Sequence, residues 1–200
     1  MARRLVIAAV LLFGLYQAWE SYAHRALVRT PGVLIASEPV QHELAAATAI
    51  RHGDFTLQPL ASFSFDARVL LVSRYRWDAE SALAPFDLGI GWRRMSDTSV
   101  IDQLGLSQSA RFLTWRWADT PPIPVDEITR SAANVHIIPA NDMIERQVAA
   151  LRSGQHVRAH GMLVEANRAD GWRWRSSLSR EDGGSGACEL MYVESLSVED

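Results

Sequence analysis

The sequence predicts an α+β domain, mainly antiparallel β, carried behind one hydrophobic N-terminal helix. Three observations lead there. The run LVIAAVLLFGLYQAW fills Leu5 to Trp19, alternating apolar stretches recur from Phe55 onward, and a well-capped amphipathic helix signal near Asn141 precedes three strand-like segments. Of 200 residues, 48% are apolar and 22% charged, the balance of an ordinary globular chain. The roughly 170 residues behind the N-terminal run are enough to bury a core without cross-links.

The N-terminal run carries Arg3 and Arg4 on one flank and Glu20, His24 and Arg25 on the other. Those flanks predict a cytoplasmic N-terminus and, in a bacterium, a single-pass inner-membrane protein with a periplasmic C-terminal domain. A helix from Arg4 to Tyr22 would span about 28 Å at 1.5 Å per residue, close to the hydrocarbon thickness. Phe13, Tyr16, Trp19 and Tyr22 recur every three residues as an interfacial aromatic belt would. Ser21-Tyr22-Ala23 is the competing signal, for cleavage after Ala23. Residues 1–25 therefore read as an anchor or signal peptide and 26–200 as a soluble domain, whose internal boundary, if it has one, falls in the proline-rich 119–130.

Element by element, Thr30-Pro31-Gly32 marks a turn, and the Ala-rich His42 to Arg51 predicts a helix. Strands are expected near Ala61 to Phe65 and Arg68 to Trp77, with helical pieces at Ala79 to Ala84 and Ser99 to Leu104, the latter capped by Thr98 or Ser99. The GIGW between them reads as a loop. Ser107 to Trp117 alternates as a strand, and Val135 to Ile138 is a short one. Asn141 then caps a helix with Ile144, Val148 and Leu151 on one face and Gly154 as its stop. His156 to Glu165, Trp172 to Arg180 and Cys188 to Val198 complete a meander, with the Gly-rich turn Glu181 to Gly186 before the last strand. A helix followed by a meander suits a small barrel of the OB or SH3 kind, and an open sheet packed on one helix equally.

Net charge is −3, so no global field points to nucleic acid, which is not expected as a partner. All 20 basic residues are arginine, as a GC-rich genome would produce. Arginine alternates with aromatics at Arg74-Tyr75-Arg76-Trp77, Trp115-Arg116-Trp117 and Trp172-Arg173-Trp174-Arg175. On a strand the last set puts Trp172 and Trp174 on one face and Arg173 and Arg175 on the other. Exposed, such faces could stack bases or sugars and hold acidic groups; buried, the tryptophans fill a core above an ion-paired arginine face. His156 and His160 on a strand stand about 13 Å apart, too far to share a metal, and no cofactor is implied. His136 reads as a satisfied histidine beside a sheet, and Asp66, Asp78, Glu80 and Asp87 as scattered acids near turns.

Cys188 is the only cysteine, so no intrachain disulfide can form. Ser185-Gly186-Ala187-Cys188, with His160-Gly161 upstream, resembles the nucleophile and base pieces of L,D-transpeptidases. That resemblance implies a cysteine enzyme acting on cell wall, although Ala187 replaces the family's glycine and Glu189 departs from its pattern. The segments FDLGIGWRRMSD, QSARFLTWRW, SANVHIIPAND and DGWRWRSSLSREDGGSGACEL together resemble a group of uncharacterised bacterial proteins with one N-terminal membrane segment. This second resemblance implies the anchor-plus-domain arrangement and no activity. The resulting expectation is a membrane-anchored periplasmic binding or assembly module, partnered by an envelope protein or glycan through Trp172, Arg173, Trp174 and Arg175. The alternative is an enzyme using Cys188 and His160.

Overall fold

The computed structural model describes residues 6–7, 10–15, 25–179 and 188–199. Residues 6–7 and 10–15 are helical, and among the described residues no helix is long and apolar enough to cross a membrane. Tyr16, Trp19, Tyr22, the site after Ala23 and the turn at 181–186 lie outside the described residues. The domain is α+β and mainly antiparallel, as its sequence predicts.

Its spine is β3, a single strand of 20 residues from Phe55 to Arg74. The two strands expected at 61–65 and 68–77 fall on this one strand, which is bent rather than broken and ends at Arg74, so 75–77 lie outside it. Register shifts at Pro59/Ala61 and at Val69/Leu71 each insert one unpaired residue. The first has a consequence for packing. Alternation runs uninterrupted from Phe55 to Ala67, yet Phe55 and Leu57 belong to an outer cluster with Ile138, Val164 and Leu190, whereas Ala61, Phe63 and Phe65 line the main core. One extra residue turns the same sequence parity from one face to the other.

Before β3 lie β1 (Val40–Glu43) and β2 (Ile50–His52), both pairing with it. The helix expected at 42–51 does not form, because a weak alanine propensity loses to two strand pairings. After β3 come β4 (Phe86–Gly91), β7 (Ala132–Pro139), β8 (His156–Arg168) and β10 (Glu189–Glu199), with the small strands β5 (Ser107–Ser109), β6 (Phe112–Thr114) and β9 (Arg173–Arg175). The main sheet runs β1-β3-β4-β7-β10-β8-β9, and β3 also pairs with β8 from Phe55 to Arg68. That pairing closes the sequence β3-β4-β7-β10-β8 into a ring. Within it β7 and β10 are parallel and the other neighbours antiparallel. In the expected meander β8 sits between β10 and β9, so β9 is an edge strand and not the middle one.

Inside the ring Phe63, Phe65, Val69, Leu88, Ile90, Val135, Ile137, Val157, Leu163, Met191 and Val193 form one buried core. Gly161 lets the seam close: a Cβ there would stand 2.0 Å from the Tyr192 carbonyl oxygen of β10. The GIGW segment is strand, not loop, up to Gly91, where a Cβ would meet the Met95 carbonyl oxygen at 2.3 Å. Glycine here serves close approach, a use that composition alone reads as a turn signal.

Helix α1 (Thr98–Ile101) is capped by Asp97, whose carboxylate accepts from the Ser99 amide, rather than by Thr98 or Ser99. Residues 79–84 form turns and no helix. Helix α2 (Val125–Arg130) follows the proline-rich segment, and its Ile128 packs with Ile123, Leu70 and Met95. Helix α3 (Asp142–Ala149) forms where expected. Asn141 Oδ1 accepts from the amides of Met143 and Ile144, and Ile144, Val148 and Leu151 are buried in the main core.

Candidate functional site

The outer face of β4 and β7 is where polar groups concentrate. Alternation sends Leu88, Val135 and Ile137 inward, and so sends Asp87, Asn134 and His136 outward. That face is not open. The stretch expected as one strand at 107–117 is a hairpin, β5 and β6, joined by Ala110 and Arg111, and it lies across Asn134. Both loop residues have positive φ, +48° and +70°. A two-residue loop with that backbone is a type I′ turn, which ordinarily selects Asn-Gly. Alanine and arginine hold it at a cost of about 1 kcal/mol or more each, so other contacts must offset it.

Arg111 makes those contacts. Its Nε and Nη2 donate to the two Asp78 oxygens at 2.9 and 2.7 Å, and Nη1 donates to Asp87 Oδ1 at 3.0 Å and to the Ala84 carbonyl at 2.8 Å. The guanidinium lies 3.9 Å from the centre of the Tyr75 ring. Its backbone is used as well: the carbonyl accepts from Asn134 Nδ2 at 2.9 Å and from the Cys188 thiol at 3.7 Å. Burial works against the Arg111 cation, but the two carboxylates outweigh it and raise its pKa. Hydrogen bonds from Arg111 hold the Asp78 carboxyl below its ordinary range, against partial burial. Burial, then the Asp87 charge, raises the Tyr75 phenol.

Asp87, 0% exposed, also binds His136 Nδ1 at 2.8 Å, and His136 is itself 3% exposed. A carboxylate on Nδ1 fixes the ring and directs Nε2 away from Asp87. The His136 ring lies 4.7 Å from that of Trp174, which meets Trp172 edge-on at 6.1 Å. Together with Glu80, Arg111, Phe112, Arg173 and Cys188, these residues line a cavity of about 300 Å3.

The four residues singled out by sequence are thus divided. Trp172 and Trp174 share a face, as alternation predicts, and are half-buried against Phe55 and His136. Arg173 and Arg175 alternate with them on the exposed side of β9, and both donate to Glu165 Oε2 at 2.7 Å; Arg173 also borders the cavity. Those bonds, first from Arg173, hold the Glu165 carboxyl low. His160 and Cys188 are not brought together. His160 pairs with Ser195, seven residues beyond Cys188 along β10, about 23 Å at roughly 3.3 Å per residue, and its near ion partner is Glu194. The histidine that shares a cavity with Cys188 is His136.

Sequence reading missed Arg111, Asp78, Asp87, Asn134 and His136 as a group. The only signal was polar residues at positions facing away from the core in the apolar strands FDLGIG and AANVHIIP. Comparison with protein-family models, curated proteins and solved structures finds no match.

The pKa directions fix the acid behaviour of this site. Asp78 and Glu165 are depressed in the folded state, so their contribution to stability is complete above about pH 4.5 and is lost as pH falls through the lowered values. Asp78→Asn should cost on the order of 1 kcal/mol at pH 7, the pair being partly solvated. Urea unfolding should show that gap shrinking at pH 3. An equal gap at both pH values would contradict the assignment.

Proposed function

We propose that the chain is a binding module of the bacterial envelope, held at the inner membrane by its N-terminal helix with the domain on the periplasmic side. Its ligand is a glycan segment, taken up by the cavity between Trp172, Trp174 and His136. One observation carries this reading: two half-buried tryptophans are mounted on the outside of the ring beside Glu80 and His136. Aromatic faces offer apolar surface to a sugar ring, and a few polar groups at the rim select and orient it.

We further infer that the ring is an OB-like barrel, from its strand order β3-β4-β7-β10-β8 and the helix between its third and fourth strands. In such barrels the face of the second and third strands, with the loops after the first and fourth, takes oligonucleotides or oligosaccharides. The corresponding strands here are β4 and β7, and the loops carry Glu80 and Trp172 to Trp174. Arg173 and Arg175 are engaged by Glu165 and net charge is −3, which favours a sugar over a nucleic acid.

Titrating the full-length protein in nonionic detergent with soluble peptidoglycan glycan fragments should change tryptophan fluorescence saturably. Trp174→Ala should weaken binding about tenfold or more, with its circular dichroism spectrum reporting that the variant is folded. No fluorescence change at millimolar glycan would overturn the reading.

A second reading, a cysteine enzyme, draws support from the Asp87–His136 pair beside Cys188. There His136 Nε2 would take the thiol proton and the thiolate add to an acyl carbon. The leaving amine would then depart with the imidazolium proton, giving a thioester that an acceptor amine resolves. Such a thiol is alkylated by iodoacetamide at neutral pH about tenfold faster than a free cysteine, and His136→Gln abolishes the difference. Alkylation at the free-thiol rate, unchanged in the variant, removes this reading.

A further inference from the structure

A second cavity lies well apart in sequence from the tryptophan cavity, beneath the segment that leads from the N-terminal run into the domain. Residues 26–29 form its roof. The Leu27 amide donates to the Ser153 carbonyl at 2.8 Å, and Arg29 Nε donates to the Gly154 carbonyl at 3.0 Å. Gly154 has φ +89°, and a Cβ there would strike the Leu27 carbonyl oxygen at 2.2 Å, so glycine is what allows the roof to seat. Under it is a space of about 360 Å3 lined by Leu27, Arg29, Arg68, Leu70, Thr98 and Asp102 among others.

Arg68 is the unusual member. It is 6% exposed, yet it has no carboxylate within ion-pair distance among the described residues. Its Nη1 donates to two neutral oxygens, the Ser96 carbonyl at 3.0 Å and Thr98 Oγ1 at 2.7 Å. Nε and Nη2 make no hydrogen bond among the described residues. Buried charge of this kind is ordinarily paired, because desolvation is otherwise uncompensated. Burial lowers the Arg68 pKa most; Asp102, beyond ion-pair distance, opposes that next, followed by repulsion from Arg29, which adds to the lowering, and then by Asp97, which opposes it. Asp97 is committed to the amides of Gly32 and Ser99, and Asp102 approaches no arginine within ion-pair distance.

We propose that this cavity is an anion site in which Arg68 and Arg29 together hold a phosphate group. Two guanidinium groups offer planar forks to the oxygens of a phosphate mono- or diester, and the anion supplies the charge that Arg68 lacks. The site's position indicates the source. Leu27 follows Tyr22 by five residues, at most about 18 Å of chain. If residues 4–22 span the bilayer, as proposed above, the cavity therefore stands in the headgroup layer, and the phosphate is that of an anionic phospholipid. The site would then fix the domain's orientation on the membrane as well as its distance from it. The phosphate chemistry rests on Arg68 and Arg29; only the lipid source rests on the anchor.

The test uses the full-length protein in nonionic detergent at constant ionic strength. Inorganic phosphate should raise the melting temperature saturably over chloride, and short-chain phosphatidylglycerol should do so at concentrations about tenfold lower than phosphate, whereas phosphatidylcholine should not. Arg29→Gln, which leaves Arg68 in place, should weaken either response about tenfold, one charge-assisted contact's worth. Arg68→Gln should abolish it, with an unliganded melting temperature reporting whether the variant is folded. A response to phosphate but not to phosphatidylglycerol supports the site and assigns it to free phosphate. No response to either anion, or an equal response in wild type and both variants, overturns it.

Discussion

The site depends on one side chain that is held in an unfavourable turn. Arg111 occupies a left-handed position in a two-residue hairpin loop whose neighbour, Ala110, is also left-handed. Neither residue suits that backbone. What offsets the cost is the number of partners the arginine finds at once: Asp78, Asp87, the Ala84 carbonyl and the Tyr75 ring for its side chain, Asn134 and Cys188 for its carbonyl. Through these contacts four stretches of chain, the turns after β3 with the start of β4, the β5–β6 hairpin, strand β7 and the segment entering β10 at Cys188, become one surface. The tryptophan cavity is the space left between that surface and β9.

The charge bookkeeping inside the knot is local. Asp87 is fully buried and serves both Arg111 and His136 through one oxygen. Removing either partner would leave a buried carboxylate with less compensation, the costly outcome for a charge in a low-dielectric setting. The arrangement therefore holds His136 in one orientation, with Nδ1 on Asp87 and the ring tilted 50° to that of Trp174. The two cavities contrast in this respect. Beside the tryptophan cavity Arg111 and Asp87 are paired with each other and with Asp78 and His136, so the glycan proposed there would be recognised by shape and hydrogen bonds. At Arg68 no carboxylate stands within ion-pair distance among the described residues, and the anion proposed there would supply that contact.

What the sequence revealed and what it hid divide along the range of the interactions concerned. Helix α3 was legible because its cap, Asn141, and its apolar face lie within ten residues of one another. The facing of Trp172 and Trp174 was legible because alternation on a strand is local. The split of β3 at residues 66–67 failed because both stay paired with β8, opposite Arg158 and Val157. The Ala-rich 42–51 failed because helix propensity is small beside pairing along β3. Asp87 and His136 are 49 residues apart and meet only through the register of β4 on β7, which no spacing rule encodes. Arg111 was hidden twice over, since nothing in Ser-Ala-Arg-Phe announces a type I′ turn. Glu165, partner of both Arg173 and Arg175, lies only one hairpin away, and its role follows once β8 and β9 are known to pair.

The claim that Arg111 fastens the hairpin over the β4–β7 face is tested most directly by native-state amide exchange in wild type and Arg111→Ala. In Arg111→Ala the amides of Phe112 and Thr114 should lose protection by about tenfold or more while Ile90 and Val135, within the ring, keep theirs. Equal protection of the hairpin amides in the two proteins would contradict it.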